Sequence, residues 1–156
     1  MQELLDYRQQ LLVRCAAVAD DLRQAAQSLP PAGWHSAALP NQPSPHQALA
    51  RFNAIETQLL QPSLEILLNE EDSLLPVFST RDWLQTDYRP DEPWAALLES
   101  CLAAHAEMLK PLQALPPARW SVAARHPWHG VRTLQWWVEQ GLCYAEEALQ
   151  MMIIQN

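Results

Sequence analysis

The sequence predicts an all-α protein, a four-helix bundle with long connecting loops, formed as a single domain over residues 1–156. Apolar residues recur every three or four positions in four separate spans, which is the spacing of one helix face. Prolines fill the connections between these spans, and no stretch shows the alternation typical of a β-strand. Four helices of this length therefore predict a four-helix bundle.

The first two helices are expected at residues 2–28 and 44–69. Pro30 and Pro31 end the first of them, and a proline-rich loop then crosses to Ser44. Ser44 is a typical N-cap, and Pro45 suits the first helical position because its missing N–H has no helical partner there. Pro62 is expected to kink or interrupt the second helix.

The last two helices are expected at residues 93–113 and 131–154. The connection between the second and third helices, residues 70–91, has no sustained periodicity but carries several aromatic residues. It is too apolar for a free linker, so it is expected to lie across the bundle. The length of the second and third connections indicates something other than a simple series of up-down hairpins.

Composition and charge exclude several classes of protein. The formal net charge is -8, with 10 basic residues scattered among 18 acidic ones. No basic patch is available for nucleic acid or for an anionic membrane surface. No apolar run approaches the length of a membrane span. Neither nucleic acid nor a membrane is therefore expected as a partner.

A cytoplasmic location is expected from the N-terminus and the cysteines. The first ten residues lack the basic and apolar regions of a signal peptide. Cys15, Cys101 and Cys143 are odd in number and far apart in sequence, so they are expected to be reduced thiols in the core.

Two segments of the chain, together with Trp34, resemble a known family. The segments are SPHQALARFNAIE at 44–56 and RHPWHGVRTLQWWVEQGLCYAEEALQMM at 125–152. In order and spacing they resemble the DinB/YfiT-like superfamily of metalloenzymes, across roughly the whole chain. The resemblance implies a four-helix bundle that holds zinc or nickel with three histidines. One histidine comes from helix two and two lie one turn apart on helix four.

The resemblance places those three ligand positions on Arg51, Tyr144 and Ala148. Gln140 falls where relatives often carry a further histidine, and Glu56 matches an acidic position of the family. Arginine has no free lone pair, alanine has no ligand atom, and tyrosine is a poor zinc ligand unless it is deprotonated. We therefore expect a degenerate site with no metal and no other cofactor.

The expected function is the binding of a small, anionic molecule in the vestigial metal-site pocket, and catalysis is less favoured. The expected lining residues are Arg51, Glu56, Trp137, Gln140, Tyr144, Glu147 and Ala148. One alternative is a residual thiol-transferase-like enzyme in which Tyr144 and Arg51 replace the electrophilic metal. Another is a structural or interaction module, and a homodimer is expected from the resemblance and from the adjacent Trp136 and Trp137.

The histidines favour structural roles. His105 lies among apolar residues of the third helix, so a hydrogen-bonded core histidine is expected rather than a ligand. His126 and His129 flank Pro127-Trp128 and are interpreted as fixing the loop before the last helix, with a new metal site there as the less favoured alternative. No Glu-x-x-His pair occurs, which disfavours a ferritin-like di-iron site.

Overall fold

A computed structural model of the chain describes residues 1–154, and most of them lie in helices. The helices are α1 (Gln2–Ser28), α2 (Pro45–Ile55), α3 (Gln61–Leu68), α4 (Thr80–Thr86), α5 (Trp94–Leu109) and α6 (Leu134–Ile154). Short 3-10 turns occupy Pro31–Gly33, Lys110–Leu112 and Pro117–Ser121. The two strands are β1 (Ala123–His126) and β2 (Gly130–Thr133).

The second bundle helix is continuous but irregular, as Pro62 predicted. Helix α2 passes through a π-helical turn, Glu56–Leu60, directly into α3. Pro62 has no N–H to donate and its ring crowds the carbonyl one turn earlier, and the wider π turn accommodates both effects. The start of the helix is also confirmed, because the Ser44 side chain accepts a hydrogen bond from the Gln47 N–H at 3.2 Å.

The fourth bundle helix begins later than predicted, because residues 130–133 form a strand. Strands β1 and β2 pair antiparallel, with His126 opposite Gly130. Gly130 adopts a φ of 72°, which suits the reversal of the chain at that point. The Thr133 hydroxyl accepts a hydrogen bond from the Trp136 N–H at 3.2 Å and so caps α6. These two strands were not predicted, because four-residue strands are too short to show alternation.

The connection between α3 and α5 packs against the bundle. Its short helix α4 is capped by Ser79, whose hydroxyl accepts a hydrogen bond from the Asp82 N–H. Leu75 donates its N–H to the Arg125 carbonyl of β1 at 2.9 Å. Leu75 and Trp83 are both buried in the core, so the connection lies across the bundle as its apolar residues predicted.

The bundle does not follow a simple up-down order. Helix α1 packs against α5 and α6, and α2 packs against the same two helices. The first two bundle helices therefore face each other across the core, with α5 and α6 between them. Among residues 1–154 there is no helix whose length and apolar character would allow it to cross a membrane.

Candidate functional site

A cavity of about 220 Å³ lies where α2 meets α6. Its walls are mostly apolar, and its polar groups come from one arginine, one tyrosine, one glutamate and one glutamine. The lining residues are Gln42, Pro43, Ala48, Arg51, Phe52, Ile55, Tyr144, Glu147, Ala148 and Met151. An apolar cleft with a few convergent polar groups is the usual form of a small-molecule site.

Arg51 is the central polar group of this cavity, and three neighbours hold its guanidinium. Its Nε donates a hydrogen bond to the Thr80 hydroxyl at 2.9 Å. Its Nη1 lies 3.5 Å from a carboxylate oxygen of Glu147, and its Cζ lies 6.0 Å from the centre of the Tyr144 ring. The Arg51 side chain is 32% exposed, so the charge is only partly removed from water.

Arg51 also lines a second, neighbouring cavity of about 410 Å³. Thr80, Trp83 and Leu84 of α4 form one side of that space, and Gln42 and Pro43 line both cavities. The arginine therefore stands between two cavities and places a fixed positive charge at their boundary.

The three positions that the resemblance assigns to metal ligands meet in the first cavity. Arg51, Tyr144 and Ala148 all line it. Burial raises the pKa of the Tyr144 phenol, and the nearby Arg51 charge offsets this only in part. The phenol therefore stays protonated at neutral pH and lacks the charge that a metal ligand needs. These residues do not fit a zinc or nickel ion, and nowhere in residues 1–154 do three or more His, Cys, Asp or Glu residues gather as a metal site.

Comparison with known proteins identifies the architecture. No family model matches the sequence, and no curated protein matches it. Among solved structures, YfiT from Bacillus subtilis superimposes with a TM-score of 0.78 and 14% sequence identity. The match covers 94% of this chain and 82% of that chain.

The chain has the YfiT fold. The solved YfiT structure is described as a probable metal-dependent hydrolase with an unusual four-helix bundle topology. At 14% identity the likeness establishes the fold alone. The predicted all-α four-helix bundle and its resemblance to the YfiT fold are thus confirmed.

Glu56, one of the predicted pocket residues, lies in the interior of this YfiT-like bundle and not in the cavity. It begins the π turn and its side chain is 0% exposed. Its Oε2 lies 3.3 Å from Nδ1 of His105 on α5, and its Oε1 is 3.9 Å from the Cys101 thiol. His105 has the hydrogen-bonded core position that the sequence predicted, with a partner that the sequence did not indicate.

The Glu56–His105 pair shares one proton in addition to the proton on Nε2 of His105. The other ring nitrogen of His105, Nε2, donates to the Cys15 carbonyl of α1 at 2.6 Å. A contact between Nδ1 and Glu56 then requires a second proton, carried either by the imidazole or by the carboxyl. Burial raises the pKa of Glu56. Burial alone would lower the pKa of His105, but the hydrogen bond and charge of Glu56 raise it overall.

The other predicted pocket residues divide between the cavity and its surroundings. Glu147 lines the cavity, whereas Trp137 and Gln140 do not. The Trp137 ring is 1% exposed and lies 5.3 Å from the ring of His126. Gln140 is a half-buried residue one turn before Tyr144 on α6. The structure therefore brings together four of the seven residues.

His126 fixes the hairpin, as its place before the last helix predicted. Its Nδ1 accepts hydrogen bonds from the N–H groups of Trp128 and His129 at 3.0 and 3.1 Å. This nitrogen is therefore used as a turn acceptor. Burial lowers the pKa of His126, and so does the nearby His129. The ring is accordingly neutral at physiological pH and suited to accepting these bonds.

The cysteines do not provide an activated thiolate. Burial raises the pKa of Cys15 to about 11 and raises that of Cys101 well above its ordinary value. Cys143 is exposed, against the expectation of a core thiol. Slight burial raises the pKa of Cys143, with Glu146 and Glu147 adding to the effect. A nucleophilic cysteine needs the opposite shift.

Several lining residues were not predicted, and helical spacing could have found some of them. Ala48 and Ile55 lie one turn on either side of Arg51, and Met151 lies one turn after Ala148, so all three share a face with a predicted residue. Thr80 and Gln42 come from the long connections, whose path no periodicity reveals.

Proposed function

We propose that the protein binds a small molecule that has an anionic head and an apolar body, in the cavity between α2 and α6. The observation that supports the proposal is the position of Arg51, a fixed cation at the boundary of an apolar cavity. The head would meet the guanidinium of Arg51, and the body would lie against Phe52, Ile55 and Met151.

The charges around the cavity favour a carboxylate-sized head over a larger polyanion. Glu147 also lines the cavity and lies 3.5 Å from Arg51. Because Glu147 is 60% exposed, it can turn toward water when an anion takes its place beside Arg51. A ligand with several negative charges would meet this carboxylate and the net charge of -8.

Three six-carbon probes with different heads test the proposal: hexanoate, hexanol and hexylammonium. Methyl-labelled methionine provides an internal control, because Met151 lines this cavity and Met108 lines a separate one near Gln61. We expect hexanoate to shift the Met151 methyl signal saturably while Met108 stays unchanged, and to bind more tightly than hexanol or hexylammonium.

Substitution of Arg51 identifies the group that recognises the head. Arg51→Met should weaken hexanoate binding about tenfold or more and remove the preference for hexanoate over hexanol. Arg81→Met is the matched control, since Arg81 is an exposed arginine of the adjacent helix α4. Equal hexanoate affinity in the Arg51→Met and parent proteins would refute the proposal.

The alternative is a residual thiol-transferase, in which the same residues would serve catalysis. The Arg51 guanidinium and the Tyr144 hydroxyl would take over the electrophilic role of a metal as hydrogen-bond donors. Turnover of glutathione with an electrophilic substrate, lost in Tyr144→Phe, would favour this alternative. A folded protein that binds hexanoate without such turnover favours a binding protein.

We also propose a homodimer, supported by the resemblance alone. Trp136 does not require a second copy, because His129 and Arg132 of the hairpin cover it at 5.4 and 4.9 Å. Light scattering across micromolar concentrations tests this, and a monomer throughout would contradict it.

A further inference from the structure

Arg8 of α1 is a buried cation whose partners are all uncharged. Its residue exposure is 7%. Its Nε donates to the Gln135 side-chain oxygen at 2.8 Å, and its Nη1 donates to the Pro117 carbonyl at 3.1 Å. Its Cζ lies 5.6 Å from the centre of the Trp120 ring. No carboxylate within residues 1–154 forms an ion pair with it.

A buried charge without a counter-charge is unusual. Buried arginines are ordinarily paired with an acid because removal of a charge from water is costly. The nearest acid along the facing helix is Glu139, one turn beyond Gln135, and the Tyr7 hydroxyl donates a hydrogen bond to it at 2.5 Å. The local sequence therefore supplies an acid, but that acid bonds to a different side chain.

Arg8 also lines a cavity of about 180 Å³ that is separate from the Arg51 site. The cavity lies between α1 and the two 3-10 turns that precede β1. Its other polar lining groups are the side-chain amides of Gln9 and Gln113, and the remaining walls are Leu5, Leu12, Leu112, Leu115, Pro117 and Trp120. The Nη2 donors of Arg8 form no hydrogen bond with any residue between 1 and 154.

We propose that this cavity binds a small carboxylate, which supplies the counter-charge that Arg8 lacks. The guanidinium is a planar fork that matches a carboxylate, and two of its corners are already fixed by Gln135 and Pro117. The amides of Gln9 and Gln113 supply further donors. The cavity volume limits the ligand to a few heavy atoms beyond the carboxylate. This cavity shares no lining residue with the Arg51 cavity, so the test of this proposal does not depend on the proposed function.

Acetate is the probe ligand, and side-chain N–H signals of the protein itself report its binding. In protein labelled with nitrogen-15, the Arg8 Nε–H and Trp120 indole N–H signals should shift saturably with acetate at constant ionic strength. The Arg51 Nε–H signal should follow a different curve. Sodium chloride and methylammonium chloride at the same concentrations should leave the Arg8 and Trp120 signals unchanged. Saturation by chloride with the affinity of acetate would show a non-specific halide site and overturn the assignment.

Substitutions separate a ligand site from a structural arginine. Arg8→Met should abolish the Trp120 shift, whereas Arg14→Met, an exposed arginine on the same helix, should leave it unchanged. If Arg8→Met does not fold, Arg8→Lys keeps the charge without the fork and should bind acetate about tenfold more weakly. Gln113→Leu keeps Arg8 intact and should also weaken binding. No saturable shift in the parent protein, or equal affinity in the folded Arg8 variants, would overturn the proposal.

Discussion

Glu56 and His105 form a buried pair in the middle of the bundle, with Oε2 and Nδ1 3.3 Å apart. The side chains are 0% and 1% exposed. Since His105 also donates to the Cys15 carbonyl at 2.6 Å, the pair links the second bundle helix to α5 and α1. Glu56 is the first residue of the π turn, so the buried proton lies beside an irregular segment of the backbone.

The first prediction concerns the pH dependence of stability. Both pKa values are raised in the folded protein, so the folded state binds more protons than the unfolded chain. The stabilisation linked to His105 is complete below its unfolded pKa of 6.5 and is lost as the pH rises through its raised folded pKa. Urea unfolding between about pH 6 and about pH 9 should show a falling free energy of unfolding.

The control for this titration is His105→Gln, which keeps a side-chain donor near the Cys15 carbonyl but does not titrate. Its free energy of unfolding should depend less on pH over the same range. If the parent and variant show the same slope, or if the parent becomes more stable as the pH rises, the pair does not hold the proton assigned to it.

The second prediction concerns the coupling within this pair. His105→Leu leaves the Glu56 carboxyl buried without its partner and should cost about 3–5 kcal/mol. Glu56→Met leaves an unpaired imidazole nitrogen and should cost about 1–3 kcal/mol. The double variant should be more stable than the sum of the two losses predicts, by about 1 kcal/mol or more. Additive losses in a chemical-denaturation cycle would contradict the pairing.

The sequence predicted the bundle well and the pairing of its polar residues less well. Three-four spacing found the four helices, and Ser44 and Pro62 marked a cap and an interruption, because these signals are local. Glu56 was assigned to the Arg51 pocket by its family position. It lies in the interior because it follows Arg51 by five residues on the regular helix that precedes the π turn, which places it about 140° further round the helix axis. Contacts such as Thr80 with Arg51 depend on how a long loop folds back, which helical spacing does not specify.

The third prediction ranks the partners of Arg51. In the structure its neighbours are the Thr80 hydroxyl at 2.9 Å, the Glu147 carboxylate and the Tyr144 ring. The Glu147 carboxylate is 60% exposed and 3.5 Å away, so its coupling with Arg51 should be no more than about 0.5 kcal/mol. The Thr80 coupling should be about 1 kcal/mol.

Double-mutant cycles measure the Arg51 couplings. Arg51→Met is combined with Thr80→Val in one cycle and with Glu147→Gln in the other. A Glu147 coupling that exceeds the Thr80 coupling would reverse the ranking. Glu146→Gln is the matched surface control, because Glu146 pairs with Arg14 and not with Arg51.

The last prediction restores the ligands that the resemblance assigns to this fold. Arg51, Tyr144 and Ala148 line one cavity although they come from two helices. Positions 144 and 148 are one turn apart, so two imidazoles there can converge on one ion, and position 51 supplies the third from the facing helix. The variant Arg51→His, Tyr144→His, Ala148→His should retain about one equivalent of zinc or nickel after dialysis without an affinity tag.

Zinc should also raise the thermal midpoint of the triple variant, because an ion that binds only the folded state stabilises it by mass action. The parent protein should retain no stoichiometric zinc, since an arginine, a protonated phenol and a methyl group provide no ligand set. The variant Tyr144→His, Ala148→His is the intermediate control and should bind zinc more weakly, because it lacks the ligand from α2. A folded triple variant that takes up no metal would show that these three positions do not superimpose on a metal site. The small-molecule proposal for Arg51 would then rest on the cavity alone.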